Sequence, residues 1–96
     1  MSIHIDINQP WQEISNYEVL NTIDGKTEYI QTTTTQSIMY VIYITTNDEF
    51  NEFDSWIREN ITEESQMLVE QEDLLTLIIL KIYTKESVMA FKLRWL

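Results

Sequence analysis

The sequence predicts an α+β domain, a two-layer sandwich in which a mostly antiparallel sheet carries two helices. Three observations lead there. Asp24-Gly25 stands between two strand-like runs, the apolar period lengthens from about two to about 3.6 residues after Thr46, and strand character returns at Ser65. Ninety-six residues with 44% hydrophobic content suit one core and are too few for two, so residues 1–96 are read as a single domain.

Ile3, Ile5 and Ile7 alternate with His4 and Asp6, which predicts a strand with one buried face, ended by Asn8, Gln9 and Pro10. Tyr17 to Ile23 and Lys26 to Thr33 flank Asp24-Gly25, a pair that accepts the positive φ angles of a type I′ turn, and so predict a β-hairpin. Ser37 to Thr45 is almost unbroken in apolar character, which predicts a separate central strand covered on both faces. Phe50, Phe53, Ile57 and Ile61 then share one arc of a helical wheel, with Trp56 at its edge. Thr46 or Asn47 can cap that helix, Asp48 and Glu49 complement its positive end, and Asp54 precedes Arg58 by one turn.

Ser65 to Glu70 and Leu74 to Tyr83 read as strands joined by a short acidic turn, the second apolar throughout and therefore central. The last stretch, Lys85 to Leu96, admits two readings. Met89, Phe91, Leu93 and Trp95 alternate as a strand would. Helix propensity, the cap offered by Thr84, and Lys92 and Arg94 at the C-terminal end favour a helix, which is the reading adopted. From Ser37 onward the order is β-α-β-β-α, a ferredoxin-like core that the N-terminal strands and hairpin extend or cover.

The composition excludes several classes of function. A formal charge of −10 disfavours phosphate backbones and anionic membranes, so neither direct nucleic-acid binding nor membrane attachment is expected. The run Leu74 to Ile82 is far shorter than a spanning helix needs. Without cysteine there are no disulfides, thiol nucleophiles or thiolate metal sites, and the N-terminal residues do not resemble a signal peptide; a cytoplasmic location is expected. Thr32 to Thr35 reads as β-branched strand or loop residues and carries no function.

The sequence offers no catalytic constellation. His4 is the single histidine, at a polar strand position without a nucleophile nearby, and reads as structural or solvent-facing. The acidic segments lack the spacing and glycine of a calcium loop, and Gly25 in a hairpin turn cannot build a phosphate-cradling loop. The pairs among Glu63, Glu64, Glu70, Glu72 and Asp73 are ordinary on an acidic surface and do not indicate glycoside hydrolysis. No metal, cofactor or catalytic residue is expected.

Charge layout is the most informative feature. Asp48 to Asp73 holds ten carboxylates and one Arg, a net of −9, whereas Lys81 to Leu96 has a net of +3. On a helical wheel Asp48, Glu52 and Glu59 share the face opposite Phe50 and Ile57, an exposed stripe with steps of about 6 Å, similar to the phosphate spacing of a nucleic-acid strand. With Glu63, Glu64, Glu70, Glu72 and Asp73 this stripe is the candidate binding surface for a protein partner with a basic, nucleic-acid-binding face. Trp11, beside Pro10 and outside any clear period, is the aromatic expected to be exposed or to anchor a partner, with Trp95 second.

The run Ile82-Tyr83-Thr84-Lys85-Glu86-Ser87-Val88-Met89-Ala90-Phe91-Lys92-Leu93-Arg94-Trp95 resembles the C-terminus of small tailed-phage proteins, in which a strand leads into a helix ending Phe-Lys-Leu-Arg-Trp. It covers about fifteen of the 96 residues and departs from the usual pattern by Leu96 in place of a glycine after the Trp. The resemblance implies a phage origin and a helical end, and carries no assigned activity. The expectation is a non-enzymatic acidic binding protein that blocks a basic surface of a host protein in the host cytoplasm. The alternative is a self-assembling structural protein that joins its acidic helix to the basic C-terminal segment of another copy.

Overall fold

The computed structural model describes residues 3–61 and 65–96. The elements are β1 (Ile3–Ile23), β2 (Lys26–Ile44), α1 (Asn47–Asn60), β3 (Ser65–Glu72), β4 (Leu75–Ile82) and α2 (Lys85–Trp95). All strand pairs are antiparallel, in the order β1-β2-β4-β3. The chain is α+β, with both helices on one side of a four-stranded sheet.

The core forms where alternate residues of the central strands meet the helices. Ile38, Tyr40, Ile42 and Ile44 of β2 and Ile78, Leu80 and Ile82 of β4 are buried beneath Phe53 and Ile57 of α1 and Val88 and Phe91 of α2. Phe91 joins the layers, with its ring 4.7 Å from Tyr40 and 6.2 Å edge-on from Phe53. Burying each of these side chains contributes about 1.5–3 kcal/mol. Both helices start by one device. A threonine in extended conformation, Thr46 or Thr84, accepts from the backbone N–H three residues on, at 3.3 and 3.2 Å. The helical reading of residues 85–95 is therefore correct, and Asp54 pairs with Arg58 at 3.0 Å.

The strand boundaries differ from expectation. Pro10 does not end β1: the strand bulges there and continues to Ile23. Proline is tolerated because β1 is an edge strand and the ladder passes from Gln9 to Gln12 without pairing Pro10 or Trp11. The hairpin and the strand at Ser37 likewise merge into one 19-residue strand, β2. The turn forms as its sequence predicts, with Asp24 at φ 52° and Gly25 at φ 75°, and Ile23 opposite Lys26.

β2 and β4 are central in pairing, yet only one of their faces is covered. The other row of the pleat, which includes Met39, Val41, Tyr43, Leu77, Ile79 and Lys81, carries no helix layer. The expected cover on both faces is therefore not met: the second apolar row lies half-buried, with no helix over it.

Candidate interaction site

Residues 12–35 form a two-stranded arm in which every side chain is exposed. Its strands, residues 12–23 and 26–35, reach roughly 33–40 Å from the sheet, and the molecule measures 64 × 26 × 17 Å. The arm carries apolar side chains along its length: Ile14, Tyr17, Val19, Leu20, Ile23, Tyr29 and Ile30 are all at least 48% exposed. Paired residues share a row, so Ile14 and Ile30 continue the open row of the sheet, whereas Tyr17, Val19 and Tyr29 fall in the row that carries the helices nearer the core. Cross-strand polar bonds tie the two strands of the ribbon together, Asn16 Nδ2 donating to Thr33 Oγ1 at 2.9 Å and Thr32 Oγ1 to the Asn16 carbonyl at 3.2 Å.

The arm is fastened at its base. The bulge at Pro10-Trp11 turns Trp11 toward the helices, where it is half-buried beside Ile38, Val88 and Met89 in a groove of about 220 Å³. Its Nε1 donates to Glu13 at 3.2 Å, and Lys85 of α2 lies 3.7 Å from the same carboxylate oxygen and 5.8 Å above the Trp11 ring. Trp11 thus packs against the head, with its indole edge tied to the arm.

The open sheet face is the second unpartnered surface. Met39, Val41, Leu77 and Ile79 form its half-buried centre, Tyr43 and Leu68 are exposed at its margins, and Lys81 stands among them with its ammonium 5.5 Å over the Tyr83 ring. Met39, Gln66, Leu68, Ile79 and Lys81 line a shallow groove there. At the edge, His4 Nε2 meets Asp6 at 3.0 Å, with both side chains mostly solvated.

The predicted acidic surface is divided. Asp48, Glu52 and Glu59 are exposed along the outer face of α1, as the wheel places them. Glu70 and Glu72 pair with Leu77 and Leu75 in the open row, on the opposite side of the sheet, and Asp73 sits in the β3–β4 turn at φ 51°. Glu63 and Glu64 lie outside the described residues. The basic end is engaged within the same chain: Arg94 reaches Glu52 at 2.6 Å and stacks 4.1 Å from the Trp95 ring. Exposed pairs of this kind contribute about 0–1 kcal/mol. Trp95 is half-buried against Phe53 and Trp56.

Two buried polar atoms, Tyr40 Oη and Trp95 Nε1, have no hydrogen-bond partner among the described residues. Burial pushes the Tyr40 phenol above its ordinary value of 10.0. Tyr40 packs against Phe91, and Trp95 packs against Phe53 while also lining a cavity with Ile3, His4, Ile5, Arg94 and Leu96. Among the described residues no group of three or more His, Cys, Asp or Glu could hold a metal, and no helix is long and apolar enough to cross a membrane.

No family model matches the sequence, and comparison with curated proteins and with solved structures gives no significant match. The reading of function rests on the surfaces just described. The hairpin around Asp24-Gly25 was read from the sequence, but its length, its full exposure and the open face of the sheet were not. The signal for that exposure was the loss of regular alternation between Gln12 and Thr35, where single apolar residues fall among Thr, Asn, Gln and Ser without favouring one face.

Proposed function

We propose that this chain is a non-enzymatic protein-interaction module that works through its hairpin arm. The observation that carries the reading is the concentration of seven large apolar side chains on a segment with no buried residue. A two-stranded ribbon is marginally stable in water by itself, and apolar surface on this scale marks a contact with another protein. The head supplies a rigid base for it. The strand order, with helices after β2 and β4, supports a ferredoxin-like head in which β1 stands where that fold's last strand would lie. A phage source, implied by the C-terminal run, fits a small assembly or host-directed protein of this kind.

Charge supports a second reading, in which α1 docks on a basic, nucleic-acid-binding surface of a partner. Asp48 and Glu59 are exposed on one face of α1 with no cation within ion-pair distance among the described residues. One experiment addresses both. The protein is expressed with an affinity tag in its cell of origin, and the complexes it forms, including those with its own untagged copy, are compared quantitatively among three forms. These are the wild type, an arm variant (Tyr17→Ser, Val19→Thr, Tyr29→Ser, Ile30→Thr) and a helix variant (Asp48→Lys, Glu59→Lys). Loss of complexes in the arm variant alone supports the first reading. Loss in the helix variant alone selects the second, and an arm variant that keeps every complex rules the arm out.

A further inference from the structure

The sheet has edges as well as faces, and its edges are unequal. We infer that β3 is a further interaction surface, at which an extended, cationic segment of another protein adds to the sheet as a fifth strand. The inference does not rest on the arm and stands if the arm reading fails.

An edge strand presents a row of unpaired backbone N–H and C=O groups, and folded proteins guard such edges with proline, lysine or bulges. The β1–β2 ladder is guarded along its length. Pro10 stands in β1, and the register shifts on both sides of Gln9 and again in the arm, at Asn16/Tyr17 and Val19/Asn21. β3 has none of these devices. Its residues pair with β4 in unbroken register, from Ser65 opposite Ile82 to Glu72 opposite Leu75, with no proline and no lysine among them. It ends the sheet order, and apart from its ladder with β4 no backbone hydrogen bond reaches it among the described residues. Its middle is apolar, with Met67 half-buried against the core and Leu68 and Val69 57% and 37% exposed. A regular, unguarded strand of this kind is a template for strand addition, in which backbone bonds supply affinity and alternate side chains supply specificity.

Charge selects the occupant. Glu70 and Glu72 stand two residues apart in one row of β3, both exposed, and neither has a cation within ion-pair distance among the described residues. Lys81 shares that row, but its rung is that of Gln66, about 13 Å along the strand from Glu70. Asp73 adds a third carboxylate in the turn that follows. The carboxylates gather at the C-terminal end of β3, so the incoming strand carries its cations at the end that lies there and apolar residues opposite Met67, Leu68 and Val69. A second copy of β3 does not fit: the strand has no cation to offer, and each chain brings a charge of −10. The open edge sets the extended shape of the partner, and the carboxylates set its charge.

Short peptides, acetylated and amidated so that their ends carry no charge, test this. The cationic probe is Lys-Thr-Lys-Val-Ile-Val-Thr-Ser, whose lysines fall opposite Glu72 and Glu70 in an antiparallel pairing, and a peptide of reversed order covers the parallel one. An anionic probe has glutamate in place of both lysines. Two further forms of the cationic probe are methylated on alternate backbone amides, one on each set. Titrations followed through the amide NMR signals of the protein should show a cationic probe shifting residues 65–72 and binding about 10-fold more tightly than the anionic one. That margin should narrow as salt rises. Methylation of one set of amides should abolish binding and methylation of the other should spare it, because only one edge of the added strand faces β3. The charge-reversed protein, Glu70→Lys with Glu72→Lys, is altered at exposed positions and should prefer the anionic probe. The arm variant (Tyr17→Ser, Val19→Thr, Tyr29→Ser, Ile30→Thr) should bind as the wild type does. No shift with either cationic probe at millimolar concentration overturns the inference, and so do shifts centred on the arm or the open face. Methylated forms that behave alike, or a preference that the charge-reversed protein keeps, overturn it as well. The arm reading is untouched by these outcomes and fails only if the arm variant retains its cellular complexes.

Discussion

Along β2, residues 38–44 bury every second side chain, whereas residues 26–35 of the same strand bury none. Ile and Tyr occur in both halves and both pair with β1 across bulges, but residues 38–44 are all apolar, whereas residues 26–35 hold five Thr with Lys26, Glu28 and Gln31. They differ as well in what stands over them. Ile38 to Ile44 pass beneath α1 and α2 and also pair with β4, while Lys26 to Thr35 have β1 as their single neighbour. Pairing makes a strand and a second layer makes a core. A segment with the first and not the second must find its layer elsewhere.

The comparison is broken most severely from the head. Phe91→Ala removes the ring that joins Tyr40 and Phe53 and should cost about 3–5 kcal/mol, lowering the melting temperature by roughly 4–8 °C for each of those kcal/mol. A calorimetric scan that shows less than about 1 kcal/mol would mean the helix layer is not what holds the head together.

A smaller effect, of opposite sign, is expected at Tyr40. Its hydroxyl is buried without a partner among the described residues, so Tyr40→Phe should stabilise the head by about 1 kcal/mol. The same substitution should alter the alkaline limb of stability. The folded phenol holds its proton more tightly than the unfolded one, whose ordinary value is 10.0, so wild-type stability is intact below that pH and falls as pH rises beyond it. Denaturant melts of Tyr40→Phe should lose that fall, and an unchanged alkaline limb would show that another group governs it.

The smallest effect on the head belongs to the arm. Gly25→Ala meets no atom within 4 Å, yet forces a φ of 75° on a residue with a Cβ. It should loosen the hairpin tip by about 1 kcal/mol while the head's melting temperature stays within a degree or two. Hydrogen exchange resolves the two: faster exchange confined to residues 12–35 separates arm from head, and acceleration spreading into residues 38–44 would show that they unfold as one.

Much of the head could be read from residues. Phe53 and Ile57 specified their helix, Thr46 and Thr84 their caps, and in the arm Asp24-Gly25 specified the turn. The helical end was decided by propensity against a clean alternation from Met89 to Trp95. The continuation of the hairpin into two long strands was hidden for two physical reasons. Pro10 signals a strand end unless the strand is an edge with a bulge, and edge position belongs to the tertiary structure. Thr32 to Thr35 fit a loop as well as a strand, since backbone pairing leaves no pattern when neither face is buried. The acidic stripe on α1 was legible because a helix period fixes its face. Whether Glu70 and Glu72 joined it depended on which row of β3 the helices would cover, and alternation alone does not say.

The closure of the arm has a consequence for the order of folding. Ile3 pairs with Ile44, and every intervening rung runs back to Ile23 and Lys26 beside the turn. Finding that first rung directly would require closing a long loop, whereas zipping from Asp24-Gly25 closes a few residues at a time on a microsecond scale. The edge strand of the sheet therefore arrives by way of the arm. A lesion at the tip, far from any core atom, should leave the finished head nearly as stable and yet delay the moment at which Ile3 and Ile5 reach it.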